Sequence, residues 1–121
     1  MSESAVSIQQ KTKDFAVRVI RAYAQLSKKH FDDATKVLSM QFLRSGTSIG
    51  ANAEARFAQS RADFLSKYSI ASKEACECKY WIEIMIESNI VFESKFIEML
   101  PKLERIIKIL ISITKKLKKN K

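Results

Sequence analysis

The chain has 121 residues and a formal net charge of +9, which is the size of one ordinary domain and a charge that suits polyanionic partners. Its two glycines and one proline supply few of the residues that end strands and form turns, so the composition favours long helices in a single domain, residues 1–121. No run of about 18 uncharged apolar residues is present, which excludes a membrane-spanning helix, and residues 1–10 lack the basic and apolar regions of a signal peptide, so we expect a cytoplasmic protein.

The first predicted helix covers about residues 11–29. Its apolar positions recur at steps of three and four, as they do on the buried stripe of an amphipathic helix, while the arginines and lysines lie away from that stripe. The stripe consists of Phe15, Val19, Ala22 and Leu26. His30 and the acids Asp32 and Asp33 end this helix, and the two acids are well placed to cap the next one.

The second predicted helix covers about residues 34–57. Its middle, residues 45–50, contains two glycines, two serines and a threonine, which are weak helix formers and on propensity alone favour a turn. The inward-facing positions of this helix nevertheless continue at steps of three and four residues, from Phe42 through Ser45 to Ile49. Because small residues let a neighbouring backbone come close, we interpret this segment as one tightly packed helix.

The third predicted helix covers about residues 61–88, and it opens with Ser60 and Asp63, which resemble a capping box with Asp in place of Glu. Its inward positions alternate steps of four and three: Phe64, Tyr68, Ala71, Ala75, Cys78, Ile82 and Met85. At 1.5 Å per residue this helix is about 40 Å long. Cys76 and Cys78 point about 200° apart on it, so we interpret them as reduced thiols that share neither a metal ion nor a disulfide.

The fourth predicted helix covers about residues 94–118. Its stripe consists of Phe92, Phe96, Met99, Leu103, Ile106, Leu110, Ile113 and Leu117. Pro101 lies off this stripe, which leaves two alternatives open: a kink, or a short separate turn before Pro101 with the main helix starting there. The chain then ends in a run of lysines.

Four long helices with short connections predict an all-α fold, an antiparallel up-and-down four-helix bundle. In such a bundle the first helix lies beside both the second and the fourth. Residues 1–31 carry six basic and two acidic side chains, residues 106–121 carry six basic and none acidic, and residues 32–105 carry ten against eleven. The positive excess therefore lies on the two terminal helices, which we expect to be adjacent.

Basic side chains on these two helices are the candidate nucleic-acid contacts. Those of the fourth helix step by three, seven and four and share one face, and no acid follows Glu104. A clustered Lys/Arg face is typical of phosphate-backbone binding, although an ordinary solvated face has the same pattern. The candidates are Arg18, Arg21, Lys28, Arg105, Lys108, Lys115 and Lys119.

Other classes of site are poorly supported. With a single histidine, no Glu-x-x-His pair and no glycine-rich phosphate loop, the chain is predicted to be non-enzymatic and to need no metal or cofactor. A basic amphipathic helix can lie on an anionic membrane, but here its apolar face is needed for the bundle, so we expect no membrane partner. A flank of the third helix with Ile70, Trp81 and Ile84 would suit a subunit interface.

Three segments carry a family resemblance: QFLRSGTSIGANAE at residues 41–54, Asp63 with the following Phe-Leu pair, and KEACECKYW at residues 73–81. They resemble the four-helix-bundle proteins encoded in intervening sequences of bacterial large-subunit ribosomal RNA, a family that is similar to the accessory variability protein of diversity-generating retroelements. The resemblance spans about residues 12–117. Its Arg-x-x-x-Ser-Ile-x-x-Asn-x-Glu pattern is unusual for a helix.

The resemblance implies a homo-oligomer, in the form of a homopentameric barrel, with a basic surface that in the retroelement relative serves template RNA and reverse transcriptase. It leaves open whether a reverse transcriptase is a partner. The family signature falls on Arg44, Ser48, Asn52, Glu54, Glu74 and Trp81. We interpret these as packing or interface residues, because an Asn within an apolar seam commonly sets helix register by hydrogen bonding.

We therefore expect a non-enzymatic, oligomeric scaffold or accessory protein that binds nucleic acid through its terminal helices, either RNA or DNA, with RNA the favoured partner. The alternative is a protein-interaction scaffold with an acidic partner and no nucleic-acid role. A third possibility, a regulatory enzyme subunit, requires turnover in a complex that this chain alone cannot support.

Overall fold

The computed structural model describes residues 7–28, 32–55, 58–91 and 94–119. Within these ranges it contains four helices: α1 (Ile8–Ser27), α2 (Asp33–Glu54), α3 (Arg61–Glu87) and α4 (Ser94–Lys119). The prediction of an all-α four-helix bundle is confirmed. The first two helices end two and three residues before their predicted ends, and His30 and Phe92 lie outside the described ranges.

Side-chain caps begin three of the helices. Ser7, Asp32 and Ser60 each accept a hydrogen bond from the backbone N–H three residues later, at 3.1, 2.7 and 3.0 Å. The predicted caps at Asp32 and Ser60 are thus confirmed, and each satisfies a backbone donor that has no partner inside its own helix. The carboxylate of Asp63 accepts from the N–H of Gln59 at 3.0 Å, one residue earlier than in a standard capping box.

The core lies along the bundle axis, where the four inward stripes meet. Every helix packs against its two neighbours, so α1 lies beside both α2 and α4 as expected. The rings of Phe42 and Phe96 meet across the diagonal between α2 and α4, with centroids 5.6 Å apart. Three predicted stripe positions near the bundle ends are only partly buried: Phe64, Ile113 and Leu117. The stripe is therefore fully covered only where all four helices overlap.

The small residues in the middle of α2 let α1 approach closely, and α2 is one unbroken helix as predicted. A Cβ on Gly46 would lie 2.7 Å from Cγ2 of Val19, and one on Gly50 would lie 3.2 Å from the carbonyl oxygen of Thr12. The hydroxyls of Ser45 and Thr47 donate to carbonyl oxygens one turn earlier, at 2.8 and 2.9 Å. Because these hydroxyls are satisfied within α2, they can lie in a closely packed segment at little cost.

A buried polar link joins the other diagonal of the bundle. Nε2 of Gln9 in α1 donates to the phenolic oxygen of Tyr68 in α3 at 2.9 Å. Burial raises the pKa of the Tyr68 phenol, and the nearby carboxylate of Glu54 raises it further. The phenol therefore stays neutral at physiological pH and keeps this interhelical hydrogen bond.

Helix α4 continues through Pro101, so the alternative of a separate turn before that residue is wrong. The proline ring lies on the exposed side of α4, where its missing N–H removes one intrahelical hydrogen bond without breaking the core contacts of Met99 and Leu103. None of the four described helices combines the length and the hydropathy needed to cross a membrane.

We predict that Gly46→Ala lowers the free energy of unfolding by about 1–2 kcal/mol, although Ala is the better helix former by about 1 kcal/mol. The new Cβ would overlap Val19, which is fully buried and has a restricted side-chain rotamer. Urea unfolding monitored by circular dichroism measures this change. In a Val19→Ala background the same substitution should instead stabilise the bundle. A gain in stability in the wild-type background would contradict the close approach of α1 and α2.

Candidate nucleic-acid interface

The seam between α1 and α4 contains a groove of about 600 Å³. Two of the predicted contacts, Arg18 of α1 and Arg105 of α4, line it from opposite sides. Phe15 and Ile106 lie at the bottom of the groove, where both side chains are almost completely buried. Because α1 and α4 are adjacent, as predicted, they bring two guanidinium groups to one concave surface.

The other five predicted contacts lie outside this groove. All are exposed: Arg21, Lys28, Lys108, Lys115 and Lys119. At about 100° per residue, Arg105 lies on the flank of α4 that faces α1, whereas Lys108 and Lys115 lie toward the flank that faces α3. The antiparallel packing also sets Lys28 and Lys119 at opposite ends of the bundle. The seven candidates therefore do not form one patch: Arg18 and Arg105 share the groove, and the other five lie apart from it.

Four further charged residues, which are not among the seven predicted contacts, also line the groove: Lys11, Asp14, Glu98 and Lys102. Helical spacing is the signal that could have found them. Lys11, Asp14 and Arg18 repeat at steps of three and four, as do Glu98, Lys102 and Arg105. The groove therefore carries four cations and two carboxylates, a mixed rather than a purely basic lining.

The acid-free part of the surface is the C-terminal half of α4. Five exposed lysines follow Glu104 there: Lys108, Lys115, Lys116, Lys118 and Lys119. Arg61, at the start of α3, donates through its guanidinium to the carbonyl oxygen of Leu117 at 3.5 Å and adds a further positive charge at this end. Lys116 and Lys118 were not among the predicted contacts because they lie off the single face that the spacing defined.

The signature residues Arg44 and Glu74 join α2 to α3. Nη1 of Arg44 lies 2.8 Å from Oε2 of Glu74, and its Nη2 lies 3.7 Å from Oε1 of Glu77. The Glu74 side chain is only 10% exposed, whereas that of Arg44 is 50% exposed. Burial of Glu74 therefore depends on this one guanidinium, and the pair is a packing contact within the chain.

Ser48 and Asn52 do not link helices. The Ser48 hydroxyl donates to the carbonyl oxygen of Arg44 at 2.7 Å, and Nδ2 of Asn52 donates to that of Ser48 at 2.9 Å. The expectation that Asn52 sets helix register by hydrogen bonding stays a prediction, because the bond seen among the described residues lies within α2. Register between α1 and α2 comes from close packing at Gly46.

The flank of α3 around Trp81 is only partly open. The Trp81 ring is half-buried against the core and meets the ring of Tyr80 at 5.3 Å, while its Nε1 has no hydrogen-bond partner among the described residues. Ile70 on this flank is exposed, as is Val37 on α2. Glu54, the remaining signature residue, lies at the end of α2 beside a shallow hollow lined by Gln9 and Arg61.

The two thiols differ in exposure: Cys76 is exposed and Cys78 is buried. Burial raises the pKa of Cys78 to about 12, with a smaller contribution from Glu74, while a hydrogen bond with Ser45 opposes the shift. No group of three or more metal-ligating side chains occurs in the described ranges.

The sequence matches the family model of the 23S rRNA-intervening sequence protein over residues 4–112. It is also similar to a solved structure, a protein with unknown function from the S23 ribosomal protein family from Bacteroides thetaiotaomicron VPI-5482. The two chains are 43% identical, the match covers 90% of this chain and 99% of that chain, and the TM-score is 0.80. No curated protein matches the sequence.

We predict that Arg44→Met lowers the free energy of unfolding by about 2 kcal/mol, because it leaves the buried carboxylate of Glu74 unpaired. Chemical denaturation measures the loss. The control is Lys79→Met, which breaks a more exposed pair with Glu104 at 3.6 Å and should cost less than about 0.5 kcal/mol. In a Glu74→Gln background the Arg44→Met cost should fall by at least about half. Equal costs in both backgrounds would show that Arg44 does not compensate Glu74.

We predict that a disulfide reagent at about pH 8 labels Cys76 quickly and Cys78 only on unfolding, because the thiolate is the reacting form and Cys78 is protonated and buried. The raised pKa also gives the sign of a pH effect. Stability from the neutral thiol is complete below pH 9 and is lost as the pH rises toward about 12. The stability difference between the wild type and Cys78→Ala should shrink over that range. A constant difference would contradict the raised pKa.

Proposed function

The chain belongs to the 23S rRNA-intervening sequence protein family, and on that premise we propose that it is a non-enzymatic, oligomeric accessory protein that binds structured RNA through its terminal helices. The observation that carries the proposal is the exposed lysine ridge of α4, which we define as Lys108, Lys115, Lys116, Lys118 and Lys119. No acidic residue lies on α4 after Glu104. A surface of one sign attracts phosphates and releases their counterions on binding.

Side-chain geometry favours contacts to the phosphate backbone over the reading of base sequence along this ridge. Lysine ammonium groups on flexible stems act as point charges and do not define a base edge. Lys108 and Lys115 are seven residues apart on one side of α4, about 10 Å along the axis. A rigid helix with charges at this spacing can follow one strand of a folded RNA without selecting its sequence.

We propose that the protein acts as a homo-oligomer, a pentamer by family resemblance, in the cytoplasm. Exposed apolar side chains support self-association, and they lie away from the α1–α4 groove: Val17, Ile20, Val37, Met40, Ile70, Tyr80, Ile97 and Ile111. An apolar surface of this kind is typical of subunit interfaces. With these side chains covered by other copies, the α1–α4 groove of every copy would stay available to RNA.

The same apolar side chains are the observation that favours the second candidate, a scaffold for an acidic protein. Tyr80 and Ile97 are exposed on α3 and α4. An acidic partner with an apolar centre would use both surfaces. Binding that survives nuclease treatment distinguishes this candidate from RNA binding.

We predict that a labelled RNA hairpin binds with an affinity that falls steeply with salt, by about 0.7–0.9 log units per log unit of salt for each neutralised phosphate. Fluorescence anisotropy at several salt concentrations measures this slope. Lys108→Glu combined with Lys115→Glu should weaken binding at least about tenfold and reduce the slope by about one unit for each lysine.

The matched control is Lys36→Glu combined with Lys95→Glu, which makes the same change in charge outside the lysine ridge and the α1–α4 groove. Circular dichroism checks that both double variants keep their helical content. Equal weakening of RNA binding in the two double variants would show that the effect comes from net charge and not from the position of the lysines. An absence of RNA binding at low salt would reject the proposed function and favour the protein scaffold.

A further inference from the structure

The α1–α4 groove differs from the lysine ridge in having an apolar floor. Phe15 is 2% exposed and Ile106 is 3% exposed, and both lie at the bottom of the groove beside Pro101. Its volume of about 600 Å³ lies within the range of small-molecule sites, about 300–1,000 Å³. The groove therefore has room for a flat organic group, which a surface for phosphates alone does not require.

The two carboxylates of the groove are also unsuited to phosphate binding. Asp14 projects from α1 and Glu98 from α4, so each helix places one negative charge among its cations. Within the described part of the chain, Glu98 forms no ion pair or hydrogen bond. A phosphate about 4 Å from such a carboxylate is repelled by about 1 kcal/mol even in water.

Carboxylates do suit the edges of bases that carry amino groups. Asp and Glu accept hydrogen bonds from the exocyclic amine of cytosine, and the amines of adenine and guanine are donors of the same kind. Uracil lacks an exocyclic amine, and its N3–H lies between two carbonyl oxygens that repel a carboxylate. The acids thus turn a mixed groove into one that distinguishes among bases.

The cations of the groove supply the remaining contacts that an unpaired nucleotide needs. The guanidinium planes of Arg18 and Arg105, on opposite sides, can stack on a base, as arginine commonly does in RNA recognition. Lys11 and Lys102 carry charges for the flanking phosphates. Because a base must leave its helix to enter the groove, the nucleic acid has to be single-stranded there.

We propose that the α1–α4 groove binds an unpaired adenine, cytosine or guanine of RNA, with the base between Arg18 and Arg105, its amino group donating to Glu98 or Asp14, and its phosphates on Lys11 and Lys102. This inference rests on the proposed RNA-binding function and deepens it. The lysine ridge supplies affinity without base preference, and the groove supplies preference for unpaired, amino-bearing bases.

The test measures the affinity of labelled single-stranded oligo(A), oligo(C) and oligo(U) of about ten nucleotides, a length within the usual site size of single-strand-binding folds. Fluorescence anisotropy at low salt follows the binding. The wild type should bind oligo(A) and oligo(C) at least about fivefold more tightly than oligo(U), the lower end of discrimination by one base contact.

The decisive variant is Glu98→Gln, with Glu104→Gln as its matched control. Both remove one negative charge from α4, but Glu104 pairs with Lys79 on the opposite flank and does not line the groove. Glu98→Gln should weaken oligo(A) and oligo(C) about fivefold and leave oligo(U) unchanged or tighter. Glu104→Gln should change each affinity by less than about twofold, and Asp14→Asn serves as a second groove variant.

The outcomes separate this inference from the proposed function. If Glu98→Gln and Glu104→Gln raise the affinity for all three oligomers equally, the groove contacts phosphate only. The inference is then overturned, while RNA binding stands. If a duplex hairpin binds and no single strand competes for it, the inference is likewise overturned. If no RNA of either kind binds, the proposed function itself is rejected.

Discussion

Burial of four apolar stripes around one axis is the constraint on which the rest of this structure depends. Each helix has one inward face, so the rotation of every helix about its own axis is set once its stripe meets the other three. The contact of Gly46 with Val19 then brings α1 and α2 close together, and the diagonal contact of Phe42 with Phe96 joins α2 to α4. Which charged residues meet at the surface follows from these apolar contacts.

The same constraint explains why the surfaces differ in chemistry. Positions that flank the buried stripe face the seams between helices, and they carry opposite charges between α2 and α3, where Arg44 pairs with Glu74. Between α1 and α4 the flanking positions are mostly cations, which hold the seam less tightly and leave a groove above Phe15 and Ile106. The more open seam is thus also the one with the chemistry of a binding site.

The different roles proposed for the lysine ridge and the α1–α4 groove agree with general features of RNA recognition. Phosphate contacts supply affinity and are sensitive to salt, whereas contacts to exposed bases supply preference. In the function proposed above, Lys115 and its neighbours on the lysine ridge would make the phosphate contacts, and Glu98 with Arg105 in the groove would make the base contacts.

The sequence by itself determined the four helices, the caps at Asp32 and Ser60, and the continuity of α2 through Gly46, because periodicity and capping act within a few residues. Only the tertiary structure decided the contacts between helices. Arg44 pairs with Glu74, thirty residues away in the chain. Asp14 and Glu98 lie in one groove with Arg18 and Arg105, which the sequence had predicted only as members of a basic surface. Such pairings depend on the rotation and offset of two packed helices, and these follow from side-chain packing across the whole core rather than from any local pattern.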